Sequence, residues 1–595
     1  MSQLLEREHV NPAPGALESS RDRTRRVAFP VVSGLLVAAF MLAALYPLWR
    51  MVYQLFFQAG KPTLSAFRQF AHAPYSYSSI VDTTIVVAIS ALLALAVGGT
   101  LAFINERTDA RMGAITDFLP FLPFLIPAVA ATIGWVLLLS PRSGYANVFV
   151  REQLAHIGIH LQNGPFNISG YPGMILLYVI NLVPFAFLII SAGIRSMNSD
   201  LEAQSRVCGA SKVRTLVKVT VPAIKPSLAG AFLLTVWFGY GMYSVPSILT
   251  ENSGIHIMSV QIVTYLTAGF PPQYGSALVM SLAMLVPIGL VWYAQTKILK
   301  QGKFATLSGR TAQATRVELG VWKWPLRLIM LGYIFVVSVL PLIALILVAT
   351  TGYWNPSVTL SQLRFARIIN ALSGDPQTQL ALKDSFELAL VGATVGIAVA
   401  ALVSVLFVHS RRRATRVADG AMKLPVIISH LVLAVGFLLA FAGAPFHLAG
   451  TWTLLALAYV AMFMPQGTLT TDAAAGQVGR DLSEAAAIYG AGRWRVFRTV
   501  YLPLMVPSIA IGWAMLFVFI LGDLEVSSIL AGASNPTIGM QTLNLFDQGG
   551  YASVASLALL LTVVSTVVVT LVLFLARRTA RWSGARNPQP QITAI

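Results

Sequence analysis

Of 595 residues, 56% are hydrophobic and only 11% charged, and the mean hydropathy is +0.72. A soluble domain carries about 25% charged residues, so a water-soluble globular fold is excluded and part of the solvent is lipid. The net charge of +18 would suit a nucleic-acid partner, but basic residues crowding the short inner loops of a membrane protein explain it without one.

Segments of about 20 apolar residues match a bilayer-crossing helix. Twelve stand out, at residues 28–50, 79–103, 117–139, 172–194, 227–250, 276–297, 325–350, 383–408, 420–443, 452–470, 507–531 and 552–576. The first follows a polar stretch ending in RDRTRR, residues 21–26, and runs to YPLWRM with no small-residue cleavage site. It reads as a retained helix rather than a cleaved signal peptide. With the amino terminus taken as cytoplasmic, the inner segments 1–26, 104–116, 195–225, 297–327, 409–423, 472–506 and 577–595 hold 33 of the 41 Lys and Arg. That asymmetry predicts both termini inside. The single cysteine, Cys208, excludes an intrachain disulfide and a Cys-based metal cage. It reads as a small apolar filler in an inner loop. The 8 His are scattered, so no metal site is expected.

The chain is duplicated. SIVDTTIVVAISALLALAVGGTLAFIN from Ser79 resembles ALKDSFELALVGATVGIAVAALVSVLF from Ala381, placing Asp82 on Asp384 at an offset of 302. At that offset Pro123 falls on Pro425 and Gly134 on Gly436. Further along the offset becomes 281, with Pro184 on Pro465, Gly209 on Gly490, Pro222 on Pro503 and Gly241 on Gly522. The first half therefore carries 21 extra residues in an outer loop near Pro141. Six spans per half give both halves one orientation, a parallel repeat. The predicted organisation is an inner tail at 1–27, a first repeat at 28–297, an inner linker at 298–324, a second repeat at 325–580 and an inner tail at 581–595.

Between the fourth and fifth spans of each half lies a charged island on the inner side. The second contains EAAAIYGAGRWRVFRTVYLP, residues 484–503. There Trp494, Phe497 and Tyr501 recur at helical spacing while Arg493, Arg495 and Arg498 point elsewhere. In the first, Val213, Leu216 and Val217 are apolar and Lys212, Arg214 and Lys218 are not. Each reads as a short amphipathic helix, led by a Gly turn and stopped before a Pro. One such helix suits a lipid surface; two at matched positions suit a two-fold partner that takes an apolar ridge into a groove.

Glu484, Ala485 and Ala486, then Gly490, then Leu502 and Pro503 resemble the EAA loop in permease subunits of binding-protein-dependent ABC importers. The first copy keeps Gly209 and Pro222. By the 13-residue spacing from Gly to Pro, however, the family's glutamate falls on Ala203, with Glu202 one place early. The chain resembles the fused, double-length permeases of the ferric-iron importer type. The resemblance implies an all-α type I ABC importer transmembrane fold in a bacterial inner membrane. It also implies two ATPase subunits gripping the islands and a binding protein delivering substrate outside. The coupling residues would be Glu202, Gly209, Lys212, Arg214, Pro222, Glu484, Ala485, Gly490, Arg493, Arg495 and Pro503. The sequence has no G-x-x-x-x-G-K-[ST] phosphate loop. ATP and Mg²⁺ are therefore expected on the partner subunits, and the chain itself is read as a pore rather than an enzyme, with no cofactor. Relatives with similar motifs handle thiamine, polyamines or phosphonates. An ion-coupled secondary transporter is the rival class, and it has no use for paired docking islands.

Ionisable residues inside spans are costly and are functional candidates. Asp523 and Glu525, in ILGDLEVSSIL, match Met242 and Ser244 of the first half, so the acids belong to one half only. Carboxylates suit a hard cation such as Fe³⁺; the alternative is a hydrated or paired site near the span's outer end. Tyr240 and Tyr243 in the matching segment could line a path or anchor the interface. His430 and Asn181 are expected to bond to neighbouring helices. The outer loops 142–170, 252–274 and 354–379 are the expected landing surface for a binding protein, with Arg142 and Arg151 as pairing groups.

Overall fold

The computed structural model describes residues 20–582 apart from 59, 114–125, 199, 251–252, 302–315, 356–357, 409–412, 424, 426–427 and 490. The described chain is almost wholly helical, because only a helix satisfies its own backbone groups where lipid offers no partner. Among the described residues nine helices are long and apolar enough to cross a membrane. A tenth candidate arises if the bent pair Lys212–Ala223 and Lys225–Gly241, meeting at 69°, counts as one span. Span one of each half is Ser20–Phe56 and Gly320–Thr351. Spans two, four and six are Ser76–Arg107, Tyr171–Ser196 and Tyr274–Gln301 in the first half. In the second they are Pro376–Val408, Trp452–Gln477 and Tyr551–Trp582.

The third spans differ from expectation. Ala128–Leu139 and His430–Phe441 are helices of 12 residues, about 18 Å long and too short to cross alone. Residues 114–125, which precede the earlier one, lie outside the described residues. Even so, the two helices are displaced by 302 at both ends, and Tyr171–Ser196 and Trp452–Gln477 by 281 at both ends, the two offsets read from sequence. Pro184 and Pro465 occupy the same turn of the latter pair.

The fifth spans also differ. Residues 227–250 and 507–531 are each broken: helices Lys225–Gly241 and Leu502–Leu521 end early, and short helices Pro246–Leu249 and Ser527–Leu530 follow. A further pair of short helices, Met258–Thr267 and Ile538–Asp547, precedes span six. The breaks fall where the halves meet. A Cβ on Gly522 would stand 3.3 Å from Pro127 of the first half, and one on Gly241 would stand 3.4 Å from Ser429 of the second.

Small residues set how closely the helices approach. Spans two and four of the first half meet at Gly98, where a Cβ would lie 2.9 Å from that of Ala186. Span one is exchanged between halves. Gly134 of the first half receives Pro341 from the second half's span one, and Gly436 of the second receives Pro47 and Met51 from the first half's span one. The segment at the start of span one of the second half is tied to the C-terminal end of the first half's span two. Val317 N–H donates to Arg107 O at 2.8 Å, Asp109 N–H donates to Val317 O at 3.3 Å, and Arg327 donates to the carbonyls of Asp109 and Ala110.

Candidate functional site

The first island begins with helix Asp200–Val207. A turn follows at Gly209, whose φ of +80° is a left-handed conformation that favours glycine. Helix Lys212–Thr215 comes next, capped by Ser211, whose side chain accepts the Arg214 N–H. One turn of π-helix, Leu216–Thr220, leads into Pro222. Lys212, Arg214, Val213 and Val217 are all exposed, so both the charges and two residues of the apolar ridge are presented outward. Glu202 is not. It is buried in an ion pair with Arg107 of span two at 3.4 Å and accepts the Thr220 hydroxyl at 2.7 Å. Arg107, only 2% exposed, also donates to Ile194 O at 3.0 Å. Lys212 Nζ donates to Glu318 O at 2.8 Å, tying the island to the linker's end. Cys208 is exposed rather than a packed filler.

The second island repeats the path with different anchoring. Helix Arg480–Ile488 leads to Arg493–Val496 and a π-turn Phe497–Tyr501. Gly490 lies outside the described residues. Val496, Phe497 and Tyr501 are buried with Met505 against Ala474 and Ala475 of span four. Glu484, Ala485, Arg493, Arg495, Arg498 and Pro503 are exposed, as are Ile488, Tyr489 and Trp494. Large apolar side chains exposed beside arginines, as Ile488 and Tyr489 are, are unusual on a surface unless something covers them.

A second set of polar residues gathers where the halves meet. Asp523 is buried, and its Oδ2 accepts from Val526 N–H (3.0 Å), Ser527 N–H (3.2 Å) and the Tyr459 hydroxyl (3.3 Å). It therefore caps the short helix Ser527–Leu530, satisfying orphan donors that a span break creates. The sequence offered that signal in the acid placed four residues ahead of Ser527. Glu525 faces the first half. Its carboxylate accepts the Tyr243 N–H, and His430 Nδ1 lies 3.8 Å from Oε2. The Tyr243 hydroxyl bonds to Ser528 across the seam. Tyr240 is separate, its hydroxyl 3.0 Å from Thr84 of span two. His430 meets Gln466 of span four at 3.3 Å, as expected of an interhelical bond. Asn181 instead donates to Leu177 O of its own helix at 2.8 Å.

At the opposite end of the bundle from the islands, the extra residues of the first half form helix Tyr145–His156. The buried Asn147 organises this insertion by donating to Leu139, Ser140 and Phe166 carbonyls and accepting the Phe166 N–H. Arg151 donates to Arg142 O and Gln162 O, bracing the loop. Sequence reading missed Asp82, which ties Tyr171 Oη (2.8 Å) and His256 N–H (2.9 Å) to span two.

A duplicated lipid-spanning bundle with a charged island before span five of each half is the architecture of a transport permease. Residues 90–303 and 392–581 each match the family described as binding-protein-dependent transport system inner membrane component, and the chain belongs to that family. It is 21% identical over 472 residues to a ferric transport system permease protein of Actinobacillus pleuropneumoniae, covering 79% of this chain and 67% of that one. It is 22% identical over 502 residues to an Fe(3+)-transport system permease protein of Haemophilus influenzae, covering 82% and 88%. A spermidine/putrescine transport system permease protein of Haemophilus influenzae is 28% identical over 252 residues, 42% of this chain and 96% of that one. A further putative ferric permease of that organism is matched over 63% of its length, so the chain spans about two thirds of some relatives.

Proposed function

We propose that this chain forms both halves of the pore of an ATP-driven importer, in which two ATPase subunits grip the two islands and a binding protein delivers cargo at the outer face. The observation that carries the reading is the pairing of the islands. Each half presents exposed apolar side chains among exposed arginines or lysines at the same point of its fold, immediately ahead of the span-five helix at the seam. Glu484, Ala485, Arg493, Arg495 and Pro503 offer the second contact, and Gly209, Lys212, Arg214 and Pro222 the first. Glu202 serves from inside as the first island's anchor. A partner that favours one arrangement of both islands shifts the bundle between outward and inward states. The cargo read here is ferric iron, supported by ferric permeases as relatives across both halves, whereas the polyamine relative covers a single half. The membrane is a bacterial inner membrane with both termini inside, supported by the basic bias of the inner loops.

The test is co-purification and uptake together. Charge reversal at Arg493 and Arg495 should release the ATPase subunit from the membrane complex and abolish ⁵⁵Fe uptake, leaving the bundle folded. An ATPase that stays bound to the doubly reversed chain, or a wild-type chain that recovers no ATPase, defeats the reading.

A further inference from the structure

We propose that the cleft between the first half's extra helix and span one of the second half holds one phosphatidylethanolamine molecule, with its ammonium on Glu152 and its acyl chains along span one. The proposal concerns the lipid around the bundle and stands apart from the importer reading. The cleft offers a volume of about 320 Å³. One wall is helix Tyr145–His156, whose Tyr145, Val148, Phe149 and Glu152 recur at helical spacing and share one face. The other wall is Leu347, near the end of span one, with Val358 and Leu363 from the segment after it. The second half has no counterpart of the first wall. Its residues 442–451 pass from one helix to the next without forming another.

The chemistry of the walls defines the ligand. Glu152 is the only charged residue on them, and among the described residues it enters no ion pair or hydrogen bond. The adjacent Arg151 does not neutralise it, being spent on the carbonyls of Arg142 and Gln162. The Tyr145 hydroxyl is buried and, among the described residues, also has no partner. A buried polar atom left this way calls for an explanation. The rest of the lining is apolar. The cleft therefore suits a molecule with a cation for a carboxylate, an acceptor for a phenol and a greasy body. A primary ammonium brings three N–H donors, and a phosphate next to it accepts the hydroxyl strongly because it is charged.

Position selects a lipid over a free amine. Val339, Ile343 and Ile346 of span one are exposed and recur at steps of four and three, a stripe that ends beside Leu347. On a helix long and apolar enough to cross a membrane, such a stripe faces hydrocarbon. Phe149, 62% exposed, extends the apolar surface across the lip of the cleft. A head group seated on Glu152 thus leaves its chains on a surface already made for them.

The same features reject other head groups. Phosphatidylglycerol brings a negative charge and no cation, so it meets Glu152 as a like charge. Phosphatidylcholine carries its positive charge on a nitrogen without N–H donors, and the carboxylate goes unbonded. Bound phosphatidylethanolamine fastens the inserted helix to span one of the other half, a junction that the protein itself makes without a polar contact from Glu152 or the Tyr145 hydroxyl.

The test is native mass spectrometry of the purified full-length chain, delipidated in detergent and titrated with dioleoyl-phosphatidylethanolamine, dioleoyl-phosphatidylcholine or dioleoyl-phosphatidylglycerol. The expected result is one tightly held phosphatidylethanolamine per chain that neither other lipid displaces. Glu152→Gln keeps the shape of the side chain and should weaken retention by about ten-fold, the loss of one charged hydrogen bond. Tyr145→Phe should weaken it less. Phe149→Ala, on the exposed lip, is an independent variant and should also lower retention. Equal retention of phosphatidylcholine or phosphatidylglycerol overturns the site, as does retention that Glu152→Gln and Phe149→Ala both leave unchanged. Expulsion of the lipid by Nα-acetyl-lysine amide overturns it too, and assigns the cleft to a lysine of an external protein.

Discussion

The two islands share one sequence pattern and are held in different ways. In the first, the glutamate stands one residue earlier, and one residue turns a helical side chain by about 100°. That rotation sends Glu202 inward to Arg107 and Thr220, while Glu484 stays outside. The first island is further tied to the linker through Lys212. It then bends by 69° into span five, whereas Arg493–Leu521 runs on as a single long helix. The difference teaches that a degenerate motif can exchange a contact made with a partner for one made within its own chain. The first island is anchored to the bundle, and the second is a rigid extension of its span.

The largest expected effect breaks the anchor. Glu202→Leu leaves Arg107 buried without its counter-ion and should cost about 3–5 kcal/mol, read as a loss of thermal stability of the detergent-solubilised chain. Glu484→Ala, on an exposed surface, should stay within about 0.5 kcal/mol and should instead weaken ATPase co-purification. Equal stability losses at the two positions would erase the contrast. Adding Arg107→Leu to Glu202→Leu should recover part of the loss, because the two residues form one pair and their effects do not add.

A smaller effect probes the bend. A Cβ on Gly193 would overlap Ser227 at the start of the bent helix, while the matching position in the second half is already Ala474. Gly193→Ala should destabilise by about 1–3 kcal/mol through overpacking. Ala474→Gly should not straighten or bend anything, which cysteine cross-linking distances across the elbow would report. Lys212→Ala removes one exposed hydrogen bond, worth about 0.5–1.5 kcal/mol, and should speed hydrogen exchange at residues 316–319 without affecting the second island. The smallest effect lies at Asp375, outside the crossing helix. Hydrogen bonds from Thr378, chiefly its hydroxyl, and from Gln377 and Gln541 hold its carboxyl below the ordinary value of 3.8. Its contribution is complete above that value and is lost as pH falls through the lowered one, so Asp375→Asn should flatten the acid limb of a Tm-against-pH curve.

Much of this was legible in the sequence, and the remainder was hidden for identifiable reasons. The repeat and its two offsets, the placing of the islands and the split between Arg493, Arg495 and Arg498 on one side and Phe497 and Tyr501 on the other follow from periodicity. The span-five breaks do not, because ILGDLEVSSIL is apolar enough to pass for one helix. The helix ends at Leu521, where Gly522 lies beside Pro127 of the other half, a tertiary fact. For the same reason the two acids, read as equals, separate in the fold: Asp523 caps a helix that the sequence did not announce, and Glu525 faces the seam. The inward turn of Glu202 needed Arg107, 95 residues earlier, and no local pattern connects them.

The exchange of the first spans bears on how the chain is made. Pro47 seats on Gly436, and Gly134 waits for Pro341, so the first half's span one docks on a helix made much later. Until then the two glycine notches lack their fillers. Fusing the halves into one polypeptide keeps each notch beside its own filler, turning what would be a search between two diffusing subunits into closure of a tethered loop.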